Sequence, residues 1–99
     1  MQVKIKKLHQ DAITPTYATD GSACFDLYAN LHAQGLVAVS DCETTIIGTG
    51  LAFEIPTGWQ MLIFSRSGHG FKENTRLANC VGVIDSDYRG EVKVKLTRD

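Results

Sequence analysis

Thr44-Thr45-Ile46-Ile47-Gly48-Thr49-Gly50-Leu51-Ala52-Phe53-Glu54-Ile55 carries the strongest periodicity in the chain. Thr45, Ile47, Thr49, Leu51, Phe53 and Ile55 alternate with Thr44, Ile46, Gly48, Gly50, Ala52 and Glu54. That period of two puts successive side chains on opposite faces of a strand. The stretch predicts one long strand, with Gly48 and Gly50 allowing a bulge or a close approach of backbone. Pro56-Thr57-Gly58 reads as a turn, since proline presets φ and glycine accepts a positive one. Trp59 to Phe64 follows as a strand apolar on both faces, which places it centrally in its sheet.

Working outward, Val3 and Ile5 alternate with Lys4 and Lys6 as a first strand, and Pro15 with Thr19-Asp20-Gly21 marks a loop. Ala23, Phe25, Leu27 and Ala29 then face one way as another strand. No window sustains a 3.6-residue amphipathic repeat. Leu31 to Val39, interrupted by Gly35, reads as loop and short strand. Many short strands with regular turns imply an all-β sandwich or barrel, and residues 1–99 make one domain with no internal repeat or linker.

Composition bounds the function. With 99 residues, of which 43% are hydrophobic, the chain builds one modest core; such a domain buries about 60–70% of the surface its unfolded chain exposes. A formal net charge of −1 argues against a general nucleic-acid binder, which needs a basic face to collect phosphates. Any anionic ligand must be met by local groups. No stretch approaches the roughly 18 apolar residues that span a membrane, and Met1-Gln2-Val3-Lys4 opens into a strand without an apolar signal core. The expectation is a soluble, cytoplasmic protein. Cys24, Cys42 and Cys80 are scattered, as are His9, His32 and His69. They offer neither a disulfide framework nor a transition-metal site. The cysteines read as reduced thiols, two of them in strands where a small apolar side chain fits.

The segment richest in chemistry is Asn79-Cys80-Val81-Gly82-Val83-Ile84-Asp85-Ser86-Asp87-Tyr88-Arg89-Gly90. Val81 and Val83 before Asp85, and Val92 and Val94 after Gly90, alternate as two paired strands joined by a polar loop, with Asp85 and Tyr88 neighbours at the hairpin mouth. A carboxylate there can polarise a water or hold a sugar hydroxyl; a phenol ring can stack on a flat ligand. Arg66-Ser67-Gly68-His69-Gly70 leaves the strand Met61 to Phe64 and enters a glycine-containing loop. Its amides, hydroxyl and guanidinium can converge on phosphate oxygens, or form a solvated surface turn.

The segment from Asn79 to Gly90 resembles the third signature motif of the trimeric deoxyuridine triphosphatases (dUTPases). Two others agree in order: Ser22-Ala23-Cys24-Phe25-Asp26-Leu27-Tyr28-Ala29 is similar to the first motif, with Cys24 where a glycine is usual, and Arg66-Ser67-Gly68 to the second. The family's fourth motif, Gly-Asp-Arg-x-x-Gln, and its glycine-rich fifth are absent from these 99 residues, so a form truncated before them is expected. The resemblance implies a distorted jelly roll (β-clip) that assembles as a homotrimer.

The resemblance also implies roles. Asp85 becomes the catalytic group that orients the water attacking the α-phosphorus, and Arg66, Ser67 and the Gly68 amide grip phosphates. Tyr88 stacks under deoxyribose. Asn79, with main-chain groups from Val81 and Gly82 to Ile84, reads the edge of uracil, where cytosine's 4-amino group would leave buried polar groups unmatched. Asp26 binds Mg2+ through water, which suits a cation that keeps several waters and takes few protein oxygens. On the residues alone, Asp85 is equally a turn aspartate, Tyr88 a cross-strand partner and Asp26 the polar member of an alternating strand. Asp87 fits a turn role and is assigned no chemistry. The implied activity is Mg2+-dependent hydrolysis of dUTP to dUMP and pyrophosphate. The alternatives are a catalytically weak deoxyuridine-nucleotide-binding or regulatory protein and, more distantly, a dCTP deaminase on the same fold. Neither nucleic acid nor membrane is an expected partner.

Overall fold

In the computed structural model, residues 1–31 and 39–99 are described; the loop and short strand expected over 31–39 thus fall largely outside them. Among the described residues the chain forms seven strands and one helix: β1 (Lys4–Lys7), β2 (Thr44–Gly48), β3 (Leu51–Glu54), β4 (Met61–Phe64), α1 (Ser67–Glu73), β5 (Thr75–Leu77), β6 (Val81–Ile84) and β7 (Lys93–Arg98). All pairing between these strands is antiparallel, in three small sheets ordered β1-β3, β2-β7-β5 and β4-β6. The all-β expectation holds.

The stretch 44–55 departs from its expectation instructively. It is two strands in two sheets, broken at Thr49-Gly50, rather than one. Gly50 adopts φ +70°, the left-handed region that side chains disfavour. The break is held by Thr49, which is buried. Its hydroxyl donates to the Val92 carbonyl at 2.7 Å and accepts the Leu51 N–H at 3.2 Å, so no polar atom is stranded. The Thr49 N–H also donates to the Val92 carbonyl (3.1 Å), the Val92 N–H to the Leu51 carbonyl (2.9 Å) and the Leu8 N–H to the Gly50 carbonyl (2.7 Å). A Cβ on Gly50 would lie 2.5 Å from the Asn30 side chain and 2.9 Å from Ala12 Cβ. Gly50→Ala is therefore expected to destabilise by at least about 1–2 kcal/mol from φ alone, read as a lower denaturation midpoint with unchanged slope.

Alternation reports the large inward side chains but not the alanines: Ala52, on the opposite phase, is buried, and Ala23 and Ala29 are exposed. Leu51, Phe53 and Ile55 join Ala12 and Val92 in the buried core, and Ile5, Phe25, Leu27, Met61, Ile63 and Ile84 pack against it. Phe25 stacks on Phe53 with ring centroids 6.5 Å apart, and Tyr17 meets Phe25 edge-on at 5.9 Å. Yet residues 23–29 form no strand. Their inward side chains dock on the core without a ladder, held instead by bonds such as Asp26 N–H to the Thr16 carbonyl and Asn30 N–H to the Gly48 carbonyl.

Three further expectations are corrected. The strand expected over Trp59 to Phe64 begins at Met61 and is not central: it pairs only with β6 among the described strands, and Trp59, Leu62 and Phe64 are exposed. The preceding turn is as expected, with Gly58 at φ +89° and the Trp59 N–H donating to the Pro56 carbonyl. Cys24, Cys42 and Cys80 are exposed and lie outside strands, Cys42 and Cys80 at positive φ. Finally, a helix spans Ser67–Glu73. It buries no residue, so it carries no amphipathic stripe to read. Its closing signal is Asn74, at φ 54° in the left-handed cap position.

Candidate active site

The expected pairing of Val81–Ile84 with the strand after Gly90 does not form. β6 pairs with β4, with Leu62 opposite Val83 and Ile63 opposite Gly82, while β7 runs between β2 and β5. The two strands splay instead, because residues 91–92 are captured by the β2–β3 corner through the Thr49, Leu51 and Val92 bonds. The splay opens a cavity of about 300 Å³ between them, lined by Asn79, Gly82 and Ile84 on one side and by Lys93, Val94 and Lys95 on the other. Because β6 is paired on one side only among the described strands, its other edge presents main-chain donors and acceptors. Val81 lines neither this cavity nor the larger one described below.

The approach to β6 is fixed by Arg76. Its Nε and Nη2 donate to the Asp99 carboxylate at 3.0 and 3.3 Å, and Nη1 donates to the Leu77 and Ala78 carbonyls and to Cys80 Sγ. The hydrogen bonds to Asp99, and then its negative charge, hold the Arg76 guanidinium above its ordinary range; it stays charged at every accessible pH. The planar fork thus shapes the turn bearing Asn79. Sequence reasoning missed Arg76, since nothing in its spacing marks a residue that braces a turn.

Beyond β6 the chain makes the expected turn: the Tyr88 N–H donates to the Asp85 carbonyl at 3.1 Å. Arg89 Nη1 donates to the Ser86 carbonyl at 2.6 Å and braces it. The Tyr88 hydroxyl donates to the Glu91 carbonyl at 2.8 Å, laying the ring over Gly90. A Cβ there would meet the Tyr88 hydroxyl oxygen at 2.7 Å and Cζ at 2.8 Å. Gly90→Ala is therefore expected to expel the ring, seen as shifted Tyr88 ring proton resonances with stability changed by less than about 1 kcal/mol, because the site is exposed. Asp85 is exposed in the same turn.

The remaining expected residues gather elsewhere. Asp26, Arg66 and Ser67 line the rim of a second cavity, of about 570 Å³, whose floor includes Ile47, Ile63, Leu77 and Leu96. What read as a glycine loop is the first turn of α1: Arg66 is its N-cap residue, in extended conformation, and the Gly70 N–H donates to the Arg66 carbonyl. The amides of Ser67 and Gly68 thus belong to the turn whose N–H groups lack intrahelical acceptors. Ser65 Oγ accepts the Leu77 N–H at 2.9 Å and ties the end of β4 to β5. Arg66 Nη1 lies 3.8 Å from Asp26 Oδ1, an ion pair too exposed to add much stability. It nevertheless places the first-motif carboxylate beside the second-motif guanidinium. A lone, partly exposed carboxylate fits a divalent cation held through water on a ligand's phosphates rather than in a protein cage; no group of three His, Cys, Asp or Glu side chains among the described residues could hold a metal directly. No helix among those residues is long and apolar enough to cross a membrane.

A single chain therefore brings together Asp26, Arg66 and Ser67, separately brings together Asn79, Gly82 and Ile84, and leaves Asp85 and Tyr88 on an exposed turn lining neither cavity.

A family model described as dUTPase matches residues 10–98. Among curated proteins, the chain is 49% identical over 96 residues to the deoxyuridine 5'-triphosphate nucleotidohydrolase of Nautilia profundicola, covering 97% of this chain and 65% of that protein. It is 45% identical over 96 residues to the protein of the same name from Helicobacter hepaticus, covering 97% and 58%. The chain thus spans about three-fifths of the length of these relatives. Among solved structures, a substituted dUTPase of Staphylococcus bacteriophage 80alpha with dUpNHpp superposes with a TM-score of 0.85 at 26% identity, over 99% of this chain and 59% of that one. The fold is that of the dUTPases, in keeping with the distorted jelly roll (β-clip) expected.

Proposed function

The chain belongs to the dUTPase family, and on that premise we propose that it takes part in hydrolysing dUTP to dUMP and pyrophosphate. The observation that carries the reading is the splayed pair of strands: β6 and β7 part to leave a cavity lined by Asn79, Gly82 and Ile84, and the Asp85–Tyr88 turn follows directly from β6. A nucleobase entering there meets donors and acceptors on one edge. Uracil fits where cytosine would leave an acceptor position unmatched.

In this reading Tyr88, held over Gly90, carries the deoxyribose, and Arg66, Ser67 and the Gly68 N–H hold phosphate oxygens. Asp85 orients a water and takes its proton as the water oxygen bonds to the α-phosphorus. The bond from that phosphorus to the oxygen bridging the α- and β-phosphates breaks, and pyrophosphate leaves with the electron pair. Asp26 would hold a Mg2+ ion through water, and the ion would supply charge that neutralises the triphosphate. The Arg66 guanidinium then exchanges Asp26 for phosphate.

The same reading includes a homotrimer. The phosphate-side and base-side residues line different cavities that share Ile63, Leu77 and Val94, and in this reading a second copy of the chain completes the site for one ligand. The exposed β4–β6 face, where Leu62 lies opposite Val83 and Phe64 opposite Val81, is an apolar patch of the kind that copies cover. The location that goes with this substrate is the cytoplasm.

The experiment is pyrophosphate release from dUTP by this chain with Mg2+, beside ammonia release from dCTP and sedimentation of the same sample. Pyrophosphate from a trimer is expected. Saturable dUMP binding without release would replace the enzyme by a nucleotide-binding protein, and ammonia would replace it by a deaminase.

A further inference from the structure

Glu91 has no part in the roles assigned above, yet its carboxylate sits at the junction that positions the Asp85–Tyr88 turn. Its Oε2 accepts the Gly50 N–H at 3.1 Å in a part-buried setting. It also lies flat against Gly48: a Cβ built there would collide with the same oxygen. The main chain of the same residue accepts the Tyr88 hydroxyl at 2.8 Å. One residue thus grips the β2–β3 corner with its side chain and the turn with its carbonyl.

We propose that Glu91 is a positioning residue for Asp85 and Tyr88, fixing their turn to the Thr49-Gly50 break; its catalytic consequence rests on the dUTPase reading. The corner gives it a rigid reference. Gly50 is committed to the left-handed region, its carbonyl accepts the Leu8 N–H, and the neighbouring Thr49 and Leu51 bond to Val92. A bond from an amide to a carboxylate is stronger than one between neutral groups, so it is the side-chain contact here best able to resist movement of residue 91. Gly48 makes room for it. With any side chain at 48, the flexible carboxylate must leave, although the strand pairing of Gly48 with Lys93 can persist.

That geometry supplies a test by two routes. Glu91→Ala removes the carboxylate; Gly48→Ala leaves it present but displaced. Amide hydrogen exchange at Gly50 and Tyr88 would be followed in both variants, in Glu91→Gln and in the unmodified chain, with melting temperature, kcat and KM for dUTP alongside. Loss of one charge-assisted bond corresponds to about a 10-fold effect. Both alanine variants are expected to speed exchange at Gly50 and Tyr88 by about that factor, to lower kcat similarly because the Asp85 position matters most in the transition state, and to raise KM through the loosened Tyr88. Glu91→Gln, whose amide oxygen still accepts the Gly50 N–H, should restore protection. Unchanged exchange at Tyr88 in Glu91→Ala, or equal losses for glutamine and alanine, would overturn the proposal. So would a fall in kcat that simply follows melting temperature. Exchange decides the point even without turnover; absence of pyrophosphate from the unmodified chain would overturn the hydrolase reading alone.

Discussion

Asp85→Asn is expected to lower kcat for dUTP by about 10²- to 10⁴-fold, the range by which a positioned general base contributes, while dUMP still binds. The asparagine side chain would keep the size and the turn, since the Tyr88 N–H donates to the backbone carbonyl of residue 85 and not to its side chain. What disappears is the carboxylate proposed to take the water's proton. Asp85 is exposed on its turn, so the exchange should leave the melting temperature nearly unchanged, as surface substitutions away from structural contacts do. Steady-state kinetics beside a dUMP titration check this directly. A variant with undiminished turnover would remove Asp85 from the chemistry. A loss of dUMP affinity as large as the loss of turnover would make it a binding group only.

Phe53→Ala should have the largest effect on stability, about 3–5 kcal/mol, as for other buried aromatic truncations. Phe53 is 2% exposed and stacks on Phe25. Its removal leaves a cavity and takes away the surface on which residues 23–29 dock, and these carry Asp26. Phe25→Ala, at a half-buried position, should cost less overall and act chiefly on that loop. Equilibrium denaturation of both variants would show it: a shift at Phe53 no larger than at Phe25 would mean that the centre of the core lies elsewhere.

The fold class was legible because alternation reports burial. Leu51, Phe53 and Ile55 point inward as their spacing requires, and Phe25 and Leu27 do so even without a ladder. Alternation does not report partners. Val81–Ile84 and the strand from Lys93 look like two arms of a hairpin, yet hydrogen bonds between Val92 and both Thr49 and Leu51 pull the second arm into another sheet. Nothing local to residues 79–94 encodes that capture. The same corner breaks the apparent long strand at Gly50: the glycines were visible, but only tertiary contacts select which of them takes positive φ. Helix α1 was illegible for the opposite reason, having no buried face to impose a period.

For the site, resemblance to known motifs supplied the roles and the structure supplied their grouping. Asp26 and Arg66, forty residues apart in sequence, face one another as an ion pair. Asn79, Gly82 and Ile84 share a cavity that exists only because the expected hairpin fails to pair. Arg76 and Glu91 were missed because each acts on backbone across a turn or corner, which residue type and spacing do not signal.

In the proposed function the opening between β6 and β7 seats a uracil ring. The most direct measurement is a titration of the nitrogen-15-labelled chain with dUMP, and with dCMP and dTMP in parallel, following backbone amides. Saturable shifts centred on Asn79, Gly82 and Ile84 for dUMP, and far weaker ones for the other two nucleotides, are predicted. Equal responses to all three, or shifts confined to residues away from β6, would contradict it.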